Sequence, residues 1–372
     1  MKICIIQRIL PHYRVKFFIN LQRILKKKNI ELVLIYGQES PGTVPKSASC
    51  DEVWAHKINN KYIKIFGKEI VWQPCLGYIS NADLIIIEQS NRLLVNSLLQ
   101  WKLNRKYNLA YWGHGRNLQG NRRSIFERYK KYISKYVDWW FAYTEKSVSI
   151  LSEIGFDINK ITLVNNAIDN SELIDHIKNF TSDDLINLKE NLNITTNNVA
   201  IYCGGMYANK SIAFLLESCE KIKKLQHDFE VIFIGSGPDA IYVEKAAVNN
   251  PWIHYVGEQY GQDRVGYFLL SKVMLMPGAV GLAVVDSFIL KVPLFTTDIT
   301  THGPEIAYLI NGENGIITNH KTDSYAEQVA SYLKDESLQA KLKSGCSNQS
   351  SEITLDNMVD RFASGILNAA KS

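Results

Sequence analysis

The chain has 372 residues, of which 46% are hydrophobic and 21% are charged. This composition is typical of a soluble globular protein with two domains, and it excludes a chain that is disordered throughout. Residues 1–8 do not resemble a secretory signal, and no apolar stretch is long enough to span a bilayer, so we expect a cytoplasmic protein. The six cysteines lack the spacing of a zinc site or of a disulfide framework.

The charge is divided unevenly along the chain. Residues 1–172 hold 26 Lys and Arg against 14 Asp and Glu, a net charge of +12, while residues 173–372 hold 16 against 23, a net charge of −7. A basic half in a cytoplasmic protein indicates nucleic acid, an anionic membrane surface or a phosphorylated substrate as partner. The sequence contains no recognisable nucleic-acid-reading motif, so we expect no nucleic acid.

The chain opens with a β-α-β pattern. Residues 2–7 predict a buried strand, an amphipathic helix follows, and residues 31–36 predict a second strand. This start predicts a doubly wound sheet, in which ligands gather at the carboxyl ends of the strands. His12 and Arg14 follow the first strand and are therefore candidate acceptor-side or phosphate-binding residues, with a solvated turn as the alternative.

Glycines surround a histidine after the strand predicted at 109–112. Gly113 and Gly115 flank His114, and Arg116 follows. The glycines let the backbone turn sharply and expose both side chains at a strand end, where a phosphate or a reacting sugar could meet them. A structural role for His114 is an equally good interpretation, since a lone histidine is more often structural.

A predicted helix at 122–136 mixes basic and aromatic residues. Its basic residues are Arg122, Arg123, Arg128, Lys130, Lys131 and Lys135, and its aromatic residues are Phe126, Tyr129, Tyr132 and Tyr136. Such a helix suits an anionic membrane surface, because the cations meet headgroups while the rings enter the acyl boundary. The alternative is a solvated outer helix that packs its apolar side inward.

The polar segment after residue 164 indicates a domain boundary. We place an N-terminal domain at 1–170, a linker at 171–196 and a C-terminal domain at 197–350. The remaining helix, within 351–372, is free to cross back to the first domain.

The second half restarts with a strand at 199–203, followed by Gly204, Gly205 and then Lys210 before a predicted helix. Glycines after a strand, a helix start and a lysine form a plausible diphosphate cradle. The signal is weak by itself, since Gly-Gly turns are common.

Asp286 is an acid in an apolar segment. If Gly281 to Leu290 form a helix, the neighbours three and four positions from Asp286 are apolar. An unpaired buried carboxylate is costly, so either a ligand or another group of the protein must pair with it. The small residues before this helix also suit the close approach of an anion to its free N–H groups.

The order and spacing of these segments resemble the retaining family-4 glycosyltransferases. The resemblance covers most of the chain and implies the α/β GT-B fold, with two Rossmann-like doubly wound domains facing a central cleft. It implies transfer of a glycosyl group from a nucleoside diphosphate sugar to a hydroxyl of a glycan or lipid-linked acceptor, with retention at the anomeric carbon. The basic first half suits an acceptor that carries a lipid pyrophosphate. We expect no cofactor and no metal, and a role in bacterial lipopolysaccharide or capsule synthesis, peripheral on the inner face of the cytoplasmic membrane.

The resemblance also implies roles for single residues. Gly204, Gly205 and Lys210 match the turn and the lysine that hold the donor diphosphate, although Gly205 stands where the family has arginine. Gly235 begins a segment that matches the family's Gly-x-Gly-Pro, and Pro304-Glu305 matches its Pro-Glu.

Gly281 and Leu282 match residues whose amides face the diphosphate, Asp286 matches the acid that holds the ribose, and His114 matches the histidine placed against the donor sugar. The acid that faces the donor sugar in the family has no counterpart. His302, Arg116 or Arg8 are candidate substitutes for the missing groups.

Two other functions stay open from the sequence. One is a glycosyltransferase-like protein that binds a nucleotide sugar or a glycan without turning it over. The other is a nucleotide-sugar epimerase of the same fold, which should carry more carboxylates around the first-domain site.

Overall fold

The computed structural model describes residues 1–43, 47–65, 67–101, 106–115 and 131–371. The chain forms two compact units, one of Met1–Asp169 with Thr354–Ser372 and one of Asn170–Ile353. Both are Rossmann-like, with a parallel sheet and helices, which confirms the predicted α/β fold class. Within the described residues, no helix combines the length and the apolar character needed to cross a membrane.

The first unit contains a parallel sheet in the order β3-β2-β1-β6-β7-β8-β9, and β4 pairs with β5 in a separate antiparallel hairpin. Its strands and helices within 1–169 are β1 (Lys2–Ile9), α1 (Val15–Lys27), β2 (Glu31–Gly37), β3 (Ala55–Lys57), β4 (Lys61–Ile65), β5 (Lys68–Trp72), β6 (Leu84–Glu88), α2 (Leu94–Trp101), β7 (Asn108–Gly113), β8 (Trp139–Ala142), α3 (Glu145–Glu153) and β9 (Ile161–Leu163).

The second unit contains a parallel sheet in the order β12-β11-β10-β13-β14-β15. Its elements are α4 (Ser171–Asn179), α5 (Ser182–Asn191), β10 (Val199–Cys203), α6 (Ile212–Leu225), β11 (Glu230–Ile234), α7 (Ala240–Asn249), β12 (Ile253–Tyr255), α8 (Gly261–Leu269), β13 (Val273–Leu275), α9 (Ala283–Ile289), β14 (Leu294–Thr297), β15 (Gly315–Thr318), α10 (Thr322–Lys334) and α11 (Glu336–Glu352).

Both sheets reverse their strand order next to the first strand. The reversal lies between β1 and β6 in the first unit and between β10 and β13 in the second. In an open parallel sheet such a switch point leaves a crevice at the carboxyl ends of the two strands, where ligands bind. The central strands are almost uninterrupted apolar runs, as expected for strands buried on both faces.

The segment predicted as a linker, 171–196, contains α4 and α5, which belong to the second unit. Both helices pack on α8 around Gly266. A Cβ atom at Gly266 would lie 2.5 Å from the ring of Phe180 and 2.8 Å from Leu188. The absence of a side chain at this position therefore allows the close contact.

The helix α12 (Leu355–Ala369) belongs to the first unit. The ring of Phe362 is stacked on Phe141 at 4.2 Å and lies 5.2 Å from Phe17 and 4.9 Å from Trp112. Asn108 donates a hydrogen bond of 2.9 Å from its side chain to the carbonyl of Ala369. Residues distant in sequence thus complete the core of the first unit.

Arg14 lies in this core, which corrects its predicted acceptor-side or phosphate-binding role and also excludes the solvated turn. It is 4% exposed, and its guanidinium donates to the side-chain oxygen of Asn166 and lies 5.0 Å from the ring centre of Trp112. Its Nη1 also lies 3.4 Å from the sulfur of Met358 on α12. A buried cation needs such partners, so Arg14 helps to hold α12 in place.

We expect Phe362→Ala to lower the free energy of unfolding by about 3–5 kcal/mol, because it removes a fully buried ring and leaves a cavity. Phe362→Leu should lower the free energy of unfolding clearly less, since it keeps most of the apolar contact. Urea denaturation monitored by circular dichroism measures both changes. A loss below about 1 kcal/mol for the alanine variant would show that the helix contributes little to the first unit.

Candidate functional site

Lys210 and the turn after β13 meet at the switch point of the second unit. Nζ of Lys210 donates a hydrogen bond to the carbonyl of Ala279, and Ala279 N–H donates to the carbonyl of Asn209 at 2.8 Å. Gly278 permits this contact, because a Cβ atom there would lie 2.3 Å from the backbone of Lys210. Burial lowers the pKa of the Lys210 ammonium, so an anion beside it would be favourable.

The turn from residue 278 to residue 282 offers two N–H groups. Helix α9 begins at Ala283, two residues later than Gly281, where the sequence predicted its start. Across the described part of the chain, no backbone or side-chain acceptor is found for the N–H groups of Gly281 and Leu282. These are the amides predicted to face the diphosphate, and together with Lys210 they form an arrangement suited to bind an anion.

His302 supports this turn from the other side. Its Nδ1 accepts a hydrogen bond of 3.1 Å from Val280 N–H, and its Nε2 lies 2.7 Å from the carbonyl of Thr297, to which it donates. A ring that accepts at Nδ1 and donates at Nε2 is a neutral imidazole. His302 is 7% exposed, and these two contacts let it fix the shape of the turn.

Glu305 also lies next to the turn, in a short 3₁₀ helix at Pro304–Tyr308, and it is 6% exposed. Gly303 lies between the two segments and donates to the carbonyl of Val280 at 2.7 Å. A Cβ atom at Gly303 would be 3.0 Å from both the Glu305 carboxylate and that carbonyl. The Glu305 carboxylate is thus positioned close to Val280 and Gly281.

The other predicted glycines bring backbones together. Gly235 has φ +130°, and a Cβ atom on it would lie 2.0 Å from the carbonyl oxygen of Gly204. At Gly205, a Cβ atom would meet the ring of Tyr207 at 2.5 Å. Gly235 and Gly204 therefore seat the loops after β10 and β11 against each other, which shapes the edge of the site.

Asp286 pairs with Arg264, a partner that local sequence patterns do not identify. Nη2 of Arg264, on α8, lies 2.7 Å from Oδ2 of Asp286, and the two side chains are 27% and 19% exposed. Burial raises the pKa of Asp286, and the guanidinium acts in the opposite direction. The pair favours the interpretation in which another group of the protein supplies the partner, although one carboxylate oxygen has no described protein contact.

His114 follows β7 in the first unit. The side-chain amide of Gln89 donates to the carbonyl of Gly115 at 2.8 Å and fixes the loop, in which Gly115 has φ +80°. The His114 ring packs edge-on against Tyr143, with 4.2 Å between ring centres. His12 is exposed in a short 3₁₀ helix, whereas Arg116 lies outside the described residues.

Glu88 is a further carboxylate that the sequence does not mark as a site residue. It ends β6 at the switch point of the first unit and accepts a hydrogen bond of 3.1 Å from Arg8 N–H. Burial raises the pKa of Glu88 to about 6, against opposing contributions from Arg8 and Arg14. Within the described ranges, no three His, Cys, Asp or Glu side chains are grouped as metal ligands.

Residues 197–335 match the family model of glycosyl transferases group 1. A curated relative, the D-rhamnosyltransferase WbpZ of Pseudomonas aeruginosa, is 24% identical over 148 residues, which span 38% of this chain and 37% of the relative. Each of these two matches covers less than half of the chain, and the chain spans little more than a third of the relative's length.

Solved structures extend the similarity to the whole chain. A glycosyltransferase from Rickettsia africae matches with a TM-score of 0.69 and 16% identity, covering 98% of both chains. HepE of Anabaena in complex with UDP matches with a TM-score of 0.68 and 12% identity, covering 98% of this chain and 99% of that one. These likenesses show that the fold is GT-B.

We expect Glu88→Gln to increase stability at pH 8 but not at pH 4. The folded-state pKa of Glu88 is raised above its unfolded value, so the folded state holds the proton more tightly, and stability from this group falls as the pH rises from about 4.5 to about 6. Glutamine removes the charge and with it this loss, at most about 2 kcal/mol. Urea titrations of both proteins at both pH values test this. An equal difference between the two proteins at pH 4 and pH 8 would contradict the raised pKa.

Proposed function

We propose that the protein is a glycosyltransferase that transfers a sugar from a nucleoside diphosphate sugar to a hydroxyl group. The observation that carries this proposal is the site between β10 and β13, where Lys210 lies against a turn with two N–H groups that have no acceptor among the described residues. This site lies within the segment that matches the glycosyl transferases group 1 model. It also occupies the switch point, where Rossmann-like sheets bind nucleotides.

The proposed role of the site is to stabilise the charge that develops on the leaving diphosphate. When the bond between the sugar and the diphosphate breaks, negative charge grows on the diphosphate. Lys210 and the amides of Gly281 and Leu282 are fixed in place before the reaction, so they stabilise that charge without reorganising. We propose that no metal and no cofactor is needed, and that the transfer retains the anomeric configuration.

Other residues receive supporting roles in the proposal. Asp286 accepts hydrogen bonds from the ribose hydroxyls through its available oxygen, and Glu305 lies close enough to the turn to contact the donor. Gly204, Gly205 and Gly235 let the loops pack closely at the edge of the nucleotide site. His114 is the proposed catalytic residue of the first unit.

We further propose an acceptor for surface polysaccharide synthesis, a glycan or a lipid-pyrophosphate-linked sugar at the inner face of the cytoplasmic membrane. The described part of the basic segment, 131–136, supports a membrane contact. Lys131 and Lys135 are exposed there, and Tyr136 is 41% exposed and packs on Trp101, itself 52% exposed, with 5.7 Å between ring centres. Aromatic rings beside cations suit a membrane interface.

Lys210→Ala should weaken the binding of a nucleoside diphosphate by roughly 1.5–3 kcal/mol, the size of a hydrogen bond to a charged group. A panel of UDP, GDP, ADP and dTDP, scanned by thermal shift, identifies the nucleotide to use, because only a bound ligand raises the melting temperature. Calorimetry then compares the variant with the wild type and with Lys245→Ala, which changes an exposed lysine on α7. If the wild type and Lys210→Ala bind the nucleotide with equal affinity, Lys210 does not contact the diphosphate.

Transfer should be independent of divalent metal and should retain the anomeric configuration. Turnover in EDTA should equal turnover without it, because Lys210 and the two amides neutralise the leaving group in place of a metal. NMR of the product reports the configuration of the new bond. Loss of turnover in EDTA that magnesium or manganese restores, or an inverted product, would refute the corresponding part of the proposal.

The protein should sediment with anionic vesicles but not with zwitterionic vesicles at low salt, and rising salt should release it. Each cation near an anionic surface contributes about 1 kcal/mol, which salt screens. Binding should be lost when four residues of the basic segment are changed to Glu, namely Arg122, Arg123, Lys130 and Lys131.

The matched control changes four exposed lysines of the second unit to Glu, namely Lys224, Lys245, Lys341 and Lys343. This variant should still sediment with anionic vesicles. If both variants behave alike, or if the wild type never sediments, the basic segment is a solvated surface and the acceptor is a soluble glycan.

A further inference from the structure

The Arg264–Asp286 pair is only partly satisfied by the protein. Its described contact joins Nη2 of Arg264 to Oδ2 of Asp286. In the part of the chain that the structure describes, Nε and Nη1 of Arg264 and Oδ1 of Asp286 have no protein partner. With side chains 27% and 19% exposed, the pair is open to a ligand on one side. It therefore offers hydrogen-bond donors and an acceptor next to one another.

The pair lies against the carboxyl end of β10. Cys203 is the last residue of β10, and burial raises the pKa of its thiol. The Arg264 charge lowers this pKa and the Asp286 charge raises it further, so both charges lie near the thiol. The backbone continues from Cys203 into the Gly204-Gly205 turn and on to Lys210. The pair and Lys210 thus lie beside the same strand end, and Asp286 is on the helix that follows the turn of Gly281 and Leu282.

The chemistry of the pair restricts what it can hold. A carboxylate oxygen accepts hydrogen bonds, so it suits a hydroxyl, and a planar guanidinium with several donors suits an anionic phosphate. A ligand that carries both groups a few ångströms apart is a ribose with a phosphate on its 5′ oxygen. Lys210 and the amides of Gly281 and Leu282 remain for the second phosphate.

We propose that Arg264 binds the phosphate attached to the ribose of the donor nucleotide, directly and not only by holding Asp286 in place. This inference rests on the proposed function, because it requires that the second unit binds a nucleotide. It gives the site a second cation, in addition to Lys210. In the absence of ligand, Asp286 neutralises that cation.

The test compares a nucleoside, its monophosphate and its diphosphate, taken from whichever of UDP, GDP, ADP and dTDP binds most tightly. Calorimetry measures their affinities, with competition for the weakest ligands. Arg264→Gln should weaken the binding of the monophosphate and of the diphosphate by about tenfold or more, because one charged hydrogen bond is lost. The affinity for the nucleoside should change by less than about twofold. Lys245→Gln is the matched control and should change none of the three.

A second comparison separates direct from indirect action. In an Asp286→Asn background, Arg264→Gln should still weaken the binding of the monophosphate if Arg264 contacts the phosphate. No further loss in that background would overturn the proposal, as would an equal loss for nucleoside and monophosphate in the single variant. If circular dichroism shows that Arg264→Gln does not fold, Asp286→Asn with Arg264 intact should keep the wild-type ratio of monophosphate to nucleoside affinity, and a ratio near one would refute the inference.

The proposed function fails separately. If the wild type binds none of the four diphosphates, nucleotide binding itself is refuted and the inference falls with it. If the wild type binds one of them but the loss in Arg264→Gln does not depend on the phosphate, only the role of Arg264 is refuted.

Discussion

Contact between backbones at the strand ends is the constraint on which the second unit depends. The loops after β10, β11 and β13 approach so closely that side chains are excluded at Gly235 and Gly278. This approach places Lys210 against the turn that carries the amides of Gly281 and Leu282. A group of donors fixed in this way needs no rearrangement when an anion arrives, so the packing of the loops and the electrostatics of the site are one property.

The first unit depends on a buried cation and on aromatic packing. Its centre contains the buried guanidinium of Arg14 surrounded by aromatic rings, with Phe362 of α12 stacked on Phe141. A cation in such a place is stable only while its acceptors and ring faces stay in position. The strand ends around it carry His114 and Glu88, and their geometry depends on this core through β7 and β6.

The sequence predicted the parts of the structure that local patterns determine. Apolar runs ending in glycine located the strands and the turns at Gly204, Gly235 and Gly281, because both signals lie within a few residues. The charge pairs were not predictable in this way. Arg264 is 22 residues from Asp286, and only the packing of α8 beside α9 brings them together.

Arg14 and Glu88 were misjudged or missed for a related reason. A charged side chain next to a turn indicates exposure, and nothing in the local sequence shows that Trp112, Asn166 and Met358 will enclose Arg14. Glu88 appears in the sequence only as the polar end of a strand. Its position beside Arg8 follows from the pairing of β1 with β6, which joins residues 80 positions apart.

The assignment of α12 to the first unit has a consequence for synthesis on the ribosome. The second unit, 170–353, is a continuous segment, so all of its residues emerge before residues 354–372. Domains generally fold as units while the chain is being made. Here the second unit can fold first, while the first unit is still incomplete. At that stage the surface of Phe17, Trp112 and Phe141 lacks α12 and forms an apolar surface that a chaperone can bind.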